Sequence, residues 1–208
     1  MIKKTLNQNA KYAQEFMKTI ETDFIFSDKP INRFKVDSAE NKETSISKNG
    51  LLNDLKTKIN SIENCNLKNN SKNLVLGEGN INADVMLIGE TPGEIEDETG
   101  LCFQGEVGNL LNKMLLAIDI KRENIYTTYS INFRPPEDRK PTGQEIKRYA
   151  IFLKEHIAII DPKILILMGS TAMEAITGLS KISNERGKWK EIILKSKTIP
   201  IMISFSPS

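Results

Sequence analysis

The sequence predicts an α/β fold, a three-layer α/β/α sandwich around a central and mostly parallel four-stranded sheet. Four apolar runs, rich in β-branched residues, are continuous rather than alternating, as in parallel strands covered on both faces; they span residues 83–88, 125–131, 163–168 and 199–205. Amphipathic helical patterns separate the runs, which is typical of βαβ units. A chain of 208 residues with 39% apolar content is long enough to build one such core.

The predicted helices follow from apolar spacing and capping signals. Apolar side chains recur at helical spacing across residues 107–118, between the first two strands. Thr142 and Glu145 have the spacing of a capping box, and an apolar stripe runs from there to Ile160. Gly169 follows the third strand and precedes a short helix. Helices therefore connect the strands of the predicted sheet.

The first fifty residues differ from the rest of the chain. Residues 3–20 have helical apolar spacing, whereas residues 27–48 are polar and contain Pro30, which is typical of a linker or arm. A further helix is predicted around residues 51–59. We therefore expect an N-terminal helix and polar arm over residues 1–50 and an α/β domain over residues 51–208.

Composition limits the compartment and the partners. The formal charge is only +2, so no global field indicates nucleic acid. No run approaches the ~18 apolar residues that span a bilayer, and the N-terminus lacks the apolar region of a signal peptide. The two cysteines, Cys65 and Cys102, lie far apart, as in a reduced protein without disulfides. We expect a cytoplasmic protein that has no membrane partner and acts as a monomer.

The loop after the first strand is the most informative candidate site. Gly89 and Gly93 allow close approach of a ligand to the backbone, at the sheet edge where α/β proteins bind ligands. The glycine spacing matches neither a dinucleotide fingerprint nor a P-loop. Backbone N–H groups, a carboxylate and the ring of Phe103 would instead hold a flat polar heterocycle. The alternative is a hard cation held by the acidic cluster Glu94, Glu96, Asp97 and Glu98.

Two basic segments are candidate phosphate contacts. Arg134 and Arg139 follow the second strand in a proline-stiffened loop, which suits phosphate binding, although salt bridges to Glu137 and Asp138 are an equal alternative. Residues 181–197 carry six basic and two acidic side chains. This second segment could line a nucleic-acid backbone or form a solvated basic face.

Arg186 and Lys188 lie in that second segment beside Trp189, a pairing seen where proteins meet nucleic acid. A tryptophan packed over a sheet edge is the alternative. His156 lies in the middle of a helix beside its apolar stripe, and we expect it to be structural.

Several motifs occur together in this chain. They are Gly77-Glu-Gly-Asn80, Gly89-Glu-Thr-Pro-Gly-Glu-Ile-Glu-Asp97, Phe103-Gln-Gly105, Arg134-Pro-Pro-Glu-Asp-Arg139, Pro162-Lys-Ile-Leu-Ile-Leu-Met-Gly169 and Arg186-Gly-Lys-Trp189. In order and spacing they resemble a family 4 uracil-DNA glycosylase, particularly the form found in α-proteobacteria. The match covers roughly residues 60–208, and the combination is far more specific than any single motif.

The resemblance implies an α/β/α enzyme that removes uracil from DNA after flipping the nucleotide into a pocket. Asp97 would position or activate the attacking water, and Phe103 would stack on the uracil ring. The remaining implied pocket residues are Gly89, Glu90, Thr91 and Gly93, and the implied phosphate contacts are Arg134, Arg139, Arg186 and Lys188. The implied partner is uracil-containing DNA.

The chain departs from the family at its cofactor positions. The family typically carries a [4Fe-4S] cluster on four cysteines, but the corresponding residues here are Ile62, Cys65, Phe133 and Tyr149. One thiolate cannot hold a cluster that uses four. We therefore expect no cofactor and no metal.

Two further departures concern the uracil site. Tyr129 stands at the position of the uracil-reading asparagine, and Ser206 at that of a catalytic histidine that donates to the uracil carbonyl. The chain then ends at Ser208, which implies a domain truncated at its C-terminus. Loss of such a donor costs about 10²–10³ in rate. The alternative function is therefore a catalytically weak or inactive protein that binds DNA or uracil.

Overall fold

A computed structural model describes residues 47–207 of the chain. The predicted N-terminal helix, and the predicted linker up to residue 46, lie outside this range. The helices of the described range are α1 (Lys48–Asn60), α2 (Asn66–Asn70), α3 (Glu94–Thr99), α4 (Gly105–Leu116), α5 (Gly143–Ile160), α6 (Ser170–Thr177) and α7 (Ile182–Glu185). The strands are β1 (Glu78–Gly79), β2 (Val85–Gly89), β3 (Ile125–Tyr129), β4 (Ile164–Met168), β5 (Trp189–Leu194) and β6 (Lys197–Ser204).

The strands form one mixed sheet in the order β1-β3-β2-β4-β6-β5. The four predicted strands are the parallel centre of this sheet, with β2 between β3 and β4 so that Val85 pairs with both Ile125 and Ile164. The two edge strands run antiparallel to their neighbours. The predicted α/β class and parallel centre are confirmed, while the sheet has six strands within residues 47–207 rather than four.

The two edge strands were not predicted, for different reasons. Strand β1 has two residues and carries no periodic signal. Strand β5 forms a hairpin with β6 through Lys195 and Ser196, whose φ values of 46° and 65° are those of a type I′ turn. Type I′ turns usually contain Asn-Gly, so the hairpin could not be recognised from the Lys-Ser pair.

Helices cover both faces of the sheet. Helices α1, α5 and α6 pack on one face against the alternate strand residues Met86, Ile88, Leu165, Leu167, Ile201 and Ile203. Helix α4 packs on the other face through Leu111 and Leu115, against Leu87, Ile125 and Met168. Burial on both faces explains the continuous apolar runs in the central strands.

The predicted capping box is present at the start of α5. The Thr142 hydroxyl accepts a hydrogen bond from the backbone N–H of Glu145, and the Glu145 carboxylate accepts one from the backbone N–H of Thr142 at 2.7 Å. Further along α5, His156 is buried and its Nε2 lies 3.0 Å from the Tyr126 hydroxyl. Burial lowers the pKa of His156 to about 4, so its ring is neutral near pH 7.

No helix within residues 47–207 combines the length and the apolar character that crossing a membrane requires.

Candidate active site

A cavity of about 430 Å³ lies at the carboxyl edge of the sheet. Each central parallel strand delivers a lining residue there: Glu90 follows β2, Tyr129 ends β3, Ser170 follows β4 and Ser206 follows β6. This is the edge at which open α/β sheets bind ligands. The parallel topology therefore gathers residues more than a hundred positions apart in sequence around one concavity.

Sequence-predicted residues divide into those that line the cavity and those that do not. The lining includes Glu90, Thr91, Gly93, Phe103, Tyr129, Arg139 and Ser206. It does not include Gly89, Asp97, Arg134, Arg186 or Lys188. Most of the predicted pocket residues therefore lie together around the cavity. The predicted catalytic carboxylate and three of the four predicted phosphate contacts do not line it.

Gly89 is required by the packing of two aromatic rings against the end of β2. A Cβ atom at this position would lie 2.7 Å from Cζ of Phe103 and 2.8 Å from the ring of Tyr129. Any side chain would displace one of the rings. Gly89 therefore shapes the cavity indirectly, by letting both rings close onto the strand.

Glu90 ties the first loop to the start of α6. Its Oε1 accepts hydrogen bonds from the backbone N–H of Thr171 at 2.9 Å and from the Ser170 hydroxyl at 3.1 Å. A carboxylate at a helix N-terminus is stabilised by the free N–H groups and the helix dipole. Ser170 and Thr171 therefore belong to the cavity wall, which the sequence analysis missed. These two residues could have been found from the sequence, because Gly169 follows a strand at the same sheet edge and precedes a helix.

The adjacent carboxylates Glu96 and Asp97 are both buried in α3 but point to different surroundings. Glu96 lines the cavity, and its two oxygens accept hydrogen bonds from the backbone N–H groups of Gly93 at 3.0 Å and Gln104 at 2.8 Å. Asp97 accepts instead from the backbone N–H groups of Lys72 and Asn73. Asp97 is the carboxylate predicted from the sequence, whereas Glu96 is the one that lines the cavity.

The acidic cluster is divided by the same helix, since Glu94 and Glu98 are exposed whereas Glu96 and Asp97 are buried. In the described part of the chain, no three acidic, histidine or cysteine side chains are grouped to hold a metal ion. The geometry therefore gives no support to a cation held by this cluster.

Both arginines after β3 are already engaged with carboxylates. Arg134 donates two hydrogen bonds to Asp138, at 2.7 and 2.8 Å, and Asp138 raises the pKa of Arg134. Arg139 donates two to Glu145, at 2.7 and 2.9 Å, and these bonds lower the pKa of Glu145 to about 2. A phosphate would have to compete with these bidentate pairs.

Arg186 and Lys188 are exposed beside the start of edge strand β5. The Arg186 guanidinium lies over the ring of Phe205, with Cζ 4.2 Å from the ring centroid. Trp189 is 59% exposed, so it is not packed over an edge. Phe205 immediately precedes the cavity residue Ser206, and Lys140 adds a further basic side chain to the cavity wall itself. Lys140 was not predicted from the sequence as a site residue.

The chain matches the model of a known protein superfamily. The model of the uracil DNA glycosylase superfamily matches residues 76–208, which include every strand of the sheet. The chain belongs to this superfamily.

Its relatives place it more narrowly, among the type-4 members of the superfamily. The type-4 uracil-DNA glycosylase of Archaeoglobus fulgidus is 32% identical over 76% of this chain and 81% of its own length. Those of Thermotoga maritima and Sulfurisphaera tokodaii are 37% and 34% identical, and the match covers 69% and 76% of this chain and 74% of each relative. The resemblance on which the sequence analysis relied is confirmed.

Membership of the type-4 family corrects the expectation that the protein has no cofactor. The type-4 relatives belong to a family that carries a [4Fe-4S] cluster, so the expectation of no cofactor, which rested on counting thiolates in this chain, was wrong. At the four ligand positions the side chains present do not fit such a group. The sulfur of Cys65 lies 3.2 Å from the Tyr149 hydroxyl, and the ring of Tyr149 meets that of Phe133 edge-on at 6.3 Å.

Proposed function

We propose that this protein is a uracil-DNA glycosylase that hydrolyses the bond between uracil and deoxyribose in DNA. The observation that carries the proposal is the cavity at the sheet edge, in a chain that belongs to the type-4 family. Its volume of about 430 Å³ is enough for a nucleotide base with its sugar. A base inside a DNA stack cannot reach such a cavity, so the nucleotide has to be turned out of the duplex.

The reaction separates charge, and the cavity wall has groups suited to it. The bond from N1 of uracil to C1′ breaks with both electrons leaving on uracil, while C1′ gains oxocarbenium character. A water oxygen then bonds to C1′, and its proton passes to a carboxylate and finally to uracil. A carboxylate near C1′ stabilises the sugar cation and receives the proton, and donors near the base stabilise the leaving anion.

Glu96 is the carboxylate that we propose for this role, because its side chain is in the cavity wall and two backbone N–H groups fix its position. Asp97, selected from the sequence, is the next residue, and the chain 72–73 holds its carboxylate outside the lining. Its direct participation remains a prediction.

Ser206, Lys140 and the backbone of the loop 89–93 are the groups that we propose for the base. Ser206 and Lys140 both lie in the cavity wall. A hydroxyl and an ammonium group can each donate to a uracil oxygen as negative charge develops there. That the protein acts as a monomer stays a prediction. A cytoplasmic location also stays a prediction.

A second candidate function is binding without cleavage. It is favoured by Tyr129, whose hydroxyl is already used inside the protein, as the acceptor of the backbone N–H of Phe103 at 3.0 Å. A base in the cavity would then meet no amide at this position. Such a protein would retain uracil-containing DNA and leave it intact.

Excision from a labelled oligonucleotide tests both candidates. Single- and double-stranded DNA with one uracil is incubated with the protein, and abasic sites are then cleaved with alkali. We expect strand breaks at uracil, reduced roughly 10²–10³-fold by Glu96→Gln. Glu98→Gln is the matched control, since Glu98 is exposed on the same helix and pairs with Lys72. Intact strands with retained retardation of the DNA would favour the binding protein instead.

A further inference from the structure

The rings of Phe103 and Tyr129 are stacked on one another inside the cavity wall. Their centroids are 4.8 Å apart and their planes differ by 29°, the distance and offset at which aromatic pairs attract. Both residues line the cavity. Phe103 comes from the loop between α3 and α4, and Tyr129 from the end of β3, so the pair joins two separate elements.

Stacking leaves Phe103 with no open face. Only 5% of Phe103 and 4% of Tyr129 is exposed, although both border a cavity. A phenyl ring that offered one face to a ligand would expose a far larger share of its surface. The guanidinium of Arg122 also lies over the Phe103 ring, with Cζ 5.4 Å from the centroid. The surface on which a base would stack is therefore covered by the protein itself.

Tyr129 is held in this position at both ends of its side chain. Its hydroxyl accepts the backbone N–H of Phe103 at 3.0 Å, and its ring lies against Gly89, where a Cβ atom would come within 2.8 Å. Burial raises the pKa of the Tyr129 hydroxyl, so the group stays neutral. The Phe103 backbone therefore already occupies one acceptor position of this hydroxyl.

We propose that Tyr129 limits access to the base-stacking position of this cavity, because its ring occupies the place on Phe103 where an everted pyrimidine would stack. The inference rests on the proposed function and adds to it. A base stacks on Phe103 only after the Tyr129 ring has moved away, so each binding event includes the loss of one aromatic pair and one hydrogen bond. Bases compete with an internal occupant of similar size and shape.

Smaller side chains at this position should uncover Phe103. Alanine removes the ring and the hydroxyl together. Asparagine removes the ring and supplies an amide with one donor and one acceptor group, which matches the imide edge of uracil. Phenylalanine keeps the ring and removes only the hydroxyl. The three substitutions therefore separate the ring from the hydrogen bond.

The test measures binding rather than cleavage. The probes are free uracil and a single-stranded oligonucleotide with one 2′-fluoro-2′-deoxyuridine, which resists hydrolysis, compared with the same oligonucleotide carrying thymidine. We expect Tyr129→Ala and Tyr129→Asn to bind the uracil probes roughly tenfold more tightly than the wild type, as one regained stacking contact implies. Tyr129→Phe keeps the ring and loses only the hydrogen bond, so it should tighten binding to the uracil probes less than either smaller side chain does.

Uracil affinities of folded Tyr129→Ala and Tyr129→Asn no higher than wild type would overturn the inference. A second measurement needs no variant: nuclear Overhauser contacts between the Phe103 and Tyr129 rings of the wild type should disappear as uracil saturates it. Contacts that persist at saturation would equally overturn the inference. If no variant excises uracil but the smaller side chains tighten binding, the proposed enzyme fails and the role of Tyr129 stands. If the wild type excises uracil and binding is unchanged by substitution, only the role of Tyr129 fails.

Discussion

The carboxylate of Asp97 accepts hydrogen bonds from the backbone N–H of Lys72, which lies 2.9 Å from Oδ1 and 3.2 Å from Oδ2. The Asn73 backbone N–H adds a third bond, at 3.2 Å to Oδ1. The neighbouring Glu96 lines the cavity instead. A turn of about 100° per residue in a helix is enough to separate the two side chains. Asp97 therefore links α3 to residues 72 and 73, whereas Glu96 is available to the cavity.

Asp97→Ala should therefore destabilise the protein. It leaves the N–H groups of Lys72 and Asn73 without their acceptor, which should lower the free energy of unfolding by about 1–3 kcal/mol in urea titrations. Glu98→Ala, at an exposed position of the same helix, should change it by less than about 0.5 kcal/mol. Equal stabilities of the two variants, combined with loss of excision only in Asp97→Ala, would show that Asp97 acts on the reaction directly.

Gly108→Ala should disturb the cavity through Phe103. A Cβ atom at Gly108 would lie 1.9 Å from the carbonyl oxygen of Phe103, so the aromatic residue has to shift. We expect the free energy of unfolding to fall by about 1–3 kcal/mol. We also expect the rate of uracil excision to fall, even under conditions in which the variant stays folded. Gly143→Ala is the matched control, because a Cβ atom there meets nothing within 4 Å. It should be neutral or stabilise the start of α5 by up to about 1 kcal/mol. Similar effects of both substitutions would contradict the close approach.

Stability should fall as the pH drops because of His156. Burial lowers its pKa from 6.5 in the unfolded chain to about 4 in the folded protein. Between these values the unfolded state binds the proton and the folded state does not, so stability is complete above pH 6.5 and declines toward pH 4. The slope is at most about 1.4 kcal/mol per pH unit. Urea unfolding of the wild type and of His156→Gln from pH 8 to pH 4.5 measures the difference. Parallel curves would show that His156 does not titrate on unfolding.

Lys188→Gln should weaken DNA binding in a salt-dependent way. Lys188 is exposed in the basic segment, unlike Arg134 and Arg139, whose guanidinium groups are held by carboxylates. Loss of one phosphate contact should reduce the slope of log K against log salt concentration by about 0.9 for duplex DNA. Lys163→Gln removes the same charge at the start of β4, on the opposite edge of the sheet, and should leave the slope unchanged. Identical slopes for wild type and Lys188→Gln would exclude Lys188 from the interface.

Much of the architecture was predictable because buried parallel strands leave a strong local signal. The apolar runs around Val85, Ile125 and Ile164 have no other good explanation, and the Thr142 capping box marks the start of α5 within one residue. Strand β5 was not predicted because its sequence, Trp-Lys-Glu-Ile-Ile-Leu, does not alternate between polar and apolar residues, although its exposure does, and because its turn uses Lys195 and Ser196. An edge strand is recognised by its pairing with a neighbouring strand, and its own sequence does not show which strand that is.

The sequence by itself determined the fold class, the sheet edge that holds the site and seven of the fifteen residues that line the cavity, because glycine spacing and strand ends are local properties. Only the tertiary structure decided which of two neighbouring acids faces the cavity, since helix phase and hydrogen-bond partners choose between Glu96 and Asp97. It also decided that Tyr129 covers Phe103. Such a contact joins residues from separate elements, and no pattern along the chain records the distance between their rings.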